Sequence, residues 1–152
     1  MTSRIEHHEA LVLCGYGEKM TAREYGYNDT RERLMAHLEE QGKLDILRSI
    51  DGGVYMSAWF ASDSPDEIVW ACCRSIASPA DAPEDAIVRL VAPSRFLVFP
   101  HPPTDDRARM WTDDYYRACA MQAPFAFSRE WFEYYPEGDL DGPYELWMAL
   151  KD

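Results

Sequence analysis

The chain has 152 residues, 27 acidic against 15 basic side chains for a formal net charge of −12, and 47% hydrophobic residues. Such a length suits a single domain, 1–152, that buries a core without disulfide or metal staples. The acidic balance argues against a phosphate-backbone binder, and no apolar run approaches a membrane span, so neither nucleic acid nor membrane is expected as a partner. The first eight residues are polar and lack the apolar centre of a signal peptide, so a cytoplasmic address follows by default. Cys14, Cys72, Cys73 and Cys119 are then expected as free thiols, at spacings that match no zinc pattern. His7 and His8 near Cys14 offer only adventitious metal binding, and no cofactor is expected.

Residues 11–17 form a short apolar run closed by glycines and predict a first strand. Asp29 followed by Glu32 resembles a helix cap, and Leu34, Met35 and Leu38 make an apolar stripe at helical spacing up to Gly42. Residues 54–61 and 68–74 predict two strands joined by turn chemistry at 62–66. A small-residue, proline-bearing acidic linker at 78–85 separates this half from the next. Strand character then returns at 88–91 and 96–100, interrupted at Pro93. Thr104, Asp105 and Asp106 open a helix with Trp111, Tyr115 and Ala118 on one side, and strands at 125–135 and 144–150 complete the chain.

The order strand, helix, strand, strand thus occurs twice, over about 11–75 and 88–150, although no residue-level identity links the halves. It predicts an α+β fold in which duplicated units form one antiparallel sheet, with two helices on one face and a ligand cleft on the other. A barrel of two ferredoxin-like repeats is the competing architecture.

The last two strands carry the most informative pattern. Trp131-Phe132-Glu133-Tyr134-Tyr135 and Tyr144-Glu145-Leu146-Trp147-Met148 each set one carboxylate among large rings. Alternation puts Trp131, Glu133 and Tyr135 on one face of their strand, and Glu145 with Trp147 on one face of theirs. A hairpin closed by residues 136–142 can pair Glu133 with Glu145 and Trp131 with Trp147. That register makes an acid pair framed by tryptophans on one face and an apolar face for the helices on the other; a slip of one residue would turn the acids over. Aromatic faces attract cations and carboxylates neutralise them, so the acidic face is suited to a flat, greasy, positively charged compound.

These elements resemble the GyrI-like small-molecule-binding family, whose domain also forms the effector-binding half of AraC-type and multidrug-responsive regulators. The resemblance rests on Arg95-Phe96-Leu97-Val98-Phe99 with His101, a helix through Trp111 and Tyr115, Phe132-Glu133-Tyr134-Tyr135, and Glu145-Leu146-Trp147-Met148. It covers 88–150 well and 11–75 through element order alone. Pro102-Pro103 stand where the family has glycine soon after the histidine, Ala149 where it often has proline, and Phe96 where it has tyrosine, which removes a hydroxyl from whatever that position contacts.

The resemblance implies a cleft for hydrophobic, often cationic aromatic compounds, with Glu133 and Glu145 as electrostatic partners and Trp147 as a stacking wall. Strand alternation adds Trp131 and Tyr135, while Trp59 and Trp70 are either the opposite wall or core aromatics. A stand-alone binder with a sequestration or sensing role is the leading expectation, since the chain leaves no room for a helix-turn-helix. One rival is a hydrolase that opens strained rings of toxic natural products, with Glu133 activating water and Glu145 or Tyr135 polarising the leaving group. The other is a gyrase-interacting inhibitor with a topoisomerase partner. His101 is a possible base or a turn-capping, solvated histidine.

Overall fold

The computed structural model describes residues 2–21, 27–60, 67–124 and 131–151. The strands are β1 (Arg4–His8), β2 (Leu11–Thr21), β3 (Val54–Phe60), β4 (Glu67–Ile76), β5 (Ile87–Val91), β6 (Ser94–His101), β7 (Trp131–Tyr135) and β8 (Tyr144–Ala149). The helices are α1 (Tyr27–Glu40), α2 (Lys43–Arg48) and α3 (Arg107–Ala120). All eight strands join one sheet in the order β1-β6-β8-β7-β3-β4-β2-β5, and every pairing is antiparallel. The expected α+β class holds. Strands β6, β7 and β8 sit together at one side and β2, β3 and β4 at the other, and the two groups meet through β7 and β3. No helix among the described residues is long and apolar enough to cross a membrane.

One face of the sheet carries the helices. Leu34 and Leu38 of α1, Leu44 and Leu47 of α2, and Met110 and Trp111 of α3 pack on Met56, Trp70, Cys72, Tyr135, Tyr144 and Leu146. Helix α3 starts on Asp106, whose side chain accepts from the Arg109 N–H, as the acidic run at its start predicts. Its inward stripe is Arg107, Trp111, Asp114 and Ala118, whereas Tyr115, expected on that side, is partly exposed. The hydroxyl-bearing ring lies on the helix flank, and the smaller Asp114 takes the inward position.

The opposite face has no helix over it among the described residues, yet Leu13, Ala71, Phe96, Val98, Phe132 and Ala149 are fully buried there. The sheet is curled, and curling toward this face lets its own side chains cover one another. Gly15 and Gly17 of β2 mark a close approach of backbone to backbone. A Cβ at Gly15 would lie 2.0 Å from the Cys72 carbonyl oxygen, and one at Gly17 2.3 Å from that of Trp70. Glycine in a strand interior is expected where backbone meets backbone at a bend.

Two elements were not legible beforehand: β1, drawn from the polar N-terminus, and the six-residue α2. The strand character broken at Pro93 resolves into separate strands, β5 pairing with β2 and β6 with β8 and β1. The expected hairpin register is corrected. Glu133 pairs with Leu146, Phe132 with Trp147 and Tyr134 with Glu145, one residue away from Glu133 opposite Glu145. A shift of one exchanges the faces of a whole strand, so Glu133 and Glu145 lie on opposite sides of the sheet.

Replacing Gly15 by alanine is expected to lower stability by about 1–3 kcal/mol, the usual cost of forcing an atom into packed surroundings. Urea denaturation of the variant measures it; an unchanged midpoint would show that β2 can move away from β4 at no cost.

Candidate functional site

Glu133 lies at the centre of β7, between Met56 of β3 and Leu146 of β8, and points toward the helices. It is 1% exposed. Its Oε2 accepts from the Trp111 indole N–H at 2.8 Å, and its Oε1 accepts from the Tyr135 hydroxyl at 2.5 Å. No cation pairs with it among the described residues. A carboxylate placed so must be neutral or must find a counter-charge, because two neutral donors do not replace a hydration shell. Burial pushes its pKa from 4.5 up to about 8, and the Tyr135 hydrogen bond offsets only part of that. Tyr135 in turn is held protonated: burial raises its pKa, and the neighbouring Glu133 raises it further.

Aromatic rings surround this carboxyl group. Trp111 stacks on Trp131 with centroids 6.2 Å apart and planes within 20°. Tyr135 and Tyr144 lie 5.9 Å apart, and Trp70 is buried in the same cluster. Of the residues singled out in the sequence, Glu133, Trp131, Tyr135 and Trp70 therefore share the helix-covered face. The decisive newcomer is Trp111. Its sequence position marked it only as an apolar helix residue, although a buried indole N–H requires an acceptor.

Glu145, Trp147 and Phe96 occupy the other face. Glu145 Oε2 accepts from Arg4 at 2.7 Å and its Oε1 from the Trp147 indole N–H at 3.2 Å. Trp147 stacks on Phe132 at 5.6 Å and meets the edge of His8 at 5.5 Å. Edge strand β1 thus supplies Glu145 with a cation and covers part of the aromatic patch. The side chain of Trp59, on β3, lies outside the described residues.

The expected pair of carboxylates facing one cleft is not formed. With the sheet between them, Glu133 and Glu145 cannot act on one bond, so the expected division into water activator and leaving-group acid loses its Glu145 form, while Tyr135 stays on the face of Glu133. His101 is neither solvated nor capping a turn. It is buried against Tyr144, and its Nε2 lies 2.5 Å from Asp114 Oδ2, while Arg117 holds the other oxygen of Asp114.

The fold has several solved counterparts. The chain is similar to SAV2435 bound to tetraphenylphosphonium, with a TM-score of 0.76 and 19% identity over 99% of this chain and 94% of that one. The fold is GyrI-like. An integron cassette protein from the mobile metagenome of Vibrio cholerae matches at a TM-score of 0.70 and 16% identity, covering 98% and 95% of the two chains. The EcmrR C-terminal domain matches at 0.59 and 8% identity, covering 99% and 98%. No protein-family model matches the sequence, and no curated protein matches it significantly. At these identities the GyrI-like likeness is one of fold, and Glu133 has to be read from its own surroundings.

Those surroundings predict an unusual pH dependence. The raised pKa means that the folded state holds a proton that the unfolded state releases above about pH 4.5. Stability from this group is complete below that value and is lost as pH rises through about 8, at about 1.4 kcal/mol per pH unit. Glu133→Gln keeps the shape and removes the titration, so its stability relative to wild type should improve steadily from pH 5 to pH 8 in urea denaturation. A difference that stays constant over that range would show that Glu133 ionises normally.

Proposed function

We propose that the protein binds hydrophobic small molecules carrying a diffuse positive charge, with Glu133 as the counter-ion. The carrying observation is the fully buried Glu133 carboxyl group, which has two neutral donors, a ring of aromatic side chains and, among the described residues, no cation of its own. A lipophilic aromatic cation gives up little hydration on entry, so the attraction to an ionised carboxylate at low dielectric is retained rather than spent on desolvation. A compact, strongly hydrated ion does not share that advantage. The tetraphenylphosphonium bound to the similar SAV2435 belongs to the favoured chemical class.

A cavity of about 500 Å³ between α1, α2 and the β7–β8 loop does not include Glu133. The ligand therefore makes its own room, and the natural part to displace is Trp111, whose indole N–H the cation replaces at Oε2. Trp131 and Tyr135 then stack on the ligand. Binding and protonation compete for one carboxyl group. At neutral pH the ligand expels a proton, and its affinity rises with pH until Glu133 is ionised without help. A sequestration or sensing role is consistent with such a site, since stacking, shape and charge are all it needs.

Titration with tetraphenylphosphonium, followed by tryptophan quenching, tests this reading. Saturable one-to-one binding is expected, about tenfold tighter at pH 7 than at pH 6 and levelling off above about pH 8. Glu133→Gln should weaken binding at least about tenfold and abolish its pH dependence, because one buried charge pair is lost. Glu145→Gln, on the other face with Arg4 as its partner, should leave the affinity unchanged within about twofold. Equal affinity in wild type and Glu133→Gln would sink the proposal.

A further inference from the structure

The arginines of this acidic protein are not all matched with acids. Arg31 on α1 and Arg107 on α3 both point their Nη2 groups at the carbonyl oxygen of Leu140, in the loop between β7 and β8, at 2.7 and 2.9 Å. Neither has a carboxylate partner among the described residues, and the Nε of each is buried without any partner. Among the described residues, Arg74 on β4 is likewise engaged with a carbonyl, that of Gly52 at 2.8 Å, and with no carboxylate. Two guanidiniums gathered on one carbonyl oxygen repel each other, and a single neutral acceptor does not offset that.

Arg31 and Arg74 line the same cavity of about 500 Å³, enclosed by α1, α2, β3, β4 and the β7–β8 loop. Its floor includes the buried Cys72, whose thiol pKa is raised by burial and lowered in part by Arg31, Arg74 and Arg48. Leu44, Leu47 and Val54 make an apolar wall beside the two arginines. Acids also border the cavity, but all of them are exposed. Glu39 is spent on Arg48, Asp139 accepts the backbone N–H of Asp141, and Glu32 and Asp141 stand at the rim. Positive charge without a counter-ion therefore lies inside, and negative charge lies at the mouth.

We infer that this cavity is a second binding site, for an organic anion whose acidic head sits on Arg31 and Arg74 and whose apolar body lies on Leu44, Leu47 and Val54. A carboxylate or sulfonate supplies acceptors for charge-assisted hydrogen bonds that the carbonyls of Leu140 and Gly52 satisfy only in part. A cavity of this volume accommodates a drug-sized molecule. The acidic rim makes the site selective: an anion without an apolar body gains too little inside to pass it. The site is separate from Glu133, which does not line the cavity, and it takes the opposite charge.

The test uses 1-anilino-8-naphthalenesulfonate and its neutral counterpart N-phenyl-1-naphthylamine, followed by probe fluorescence on the full chain. Wild type should bind the sulfonate one-to-one and at least tenfold more tightly than the neutral amine. Arg31→Gln and Arg74→Gln should each weaken the sulfonate about tenfold and leave the neutral probe unmoved, while exposed Arg109→Gln changes neither. Glu133→Gln should not affect sulfonate binding, so failure here leaves the cation reading standing and the reverse also holds. Equal affinity of the two probes for wild type, or binding of neither, overturns the inference without reliance on any variant's folding.

Discussion

The pairing of β7 with β8 is the constraint on which the rest of the molecule depends. It sets Glu133 opposite Leu146 rather than Glu145, and in doing so assigns each carboxylate a different environment. Glu133 is turned under α3, where, among the described residues, an indole and a phenol are its hydrogen-bond donors. Glu145 is turned to the uncovered face, where β1 can bring it Arg4. A buried charge needs compensation, and the register decides which acid receives it from the chain and which is left to hold a proton.

From this follows a division of labour between the faces. On the curled face the aromatic rings of Phe96, Phe132 and Trp147 pack on one another, and the polar residues of β1 close over their edge. That face is satisfied electrostatically. On the helix-covered face the Glu133 carboxyl and the guanidiniums of Arg31 and Arg107 around Leu140 have no opposite charge paired with them among the described residues. Both burial and isolation are destabilising, and residues that break local rules in this way mark functional positions more often than defects.

Much of the architecture was legible because it is written in periodicity. The helical stripe of Leu34 and Leu38, the Asp106 cap and the aromatic strands all reappear where the pattern places them. Register was not legible, for a physical reason. Both faces of β7 and β8 are buried and aromatic, so hydrophobic alternation does not distinguish the two pairings, and the loop between them is too long to impose one. β1 carries no apolar signal at Arg4, Glu6 and His8; it exists because β6 offers it an open edge. The importance of Glu133 could be read from its aromatic setting, but its donor Trp111, 22 residues away, could not. The arginines around Leu140 are brought together by tertiary packing alone, from α1 and α3.

The stacked indoles of Trp111 and Trp131 add an optical property to this arrangement. The two rings lie with centroids 6.2 Å apart and planes within 20°, so they share one local environment. Because the Trp111 N–H rests on Glu133, the electric field at that indole is tied to the state of a single carboxyl group. The protein thus places an indole, a ring whose ultraviolet spectrum depends on nearby charge, in direct contact with its most unusual residue.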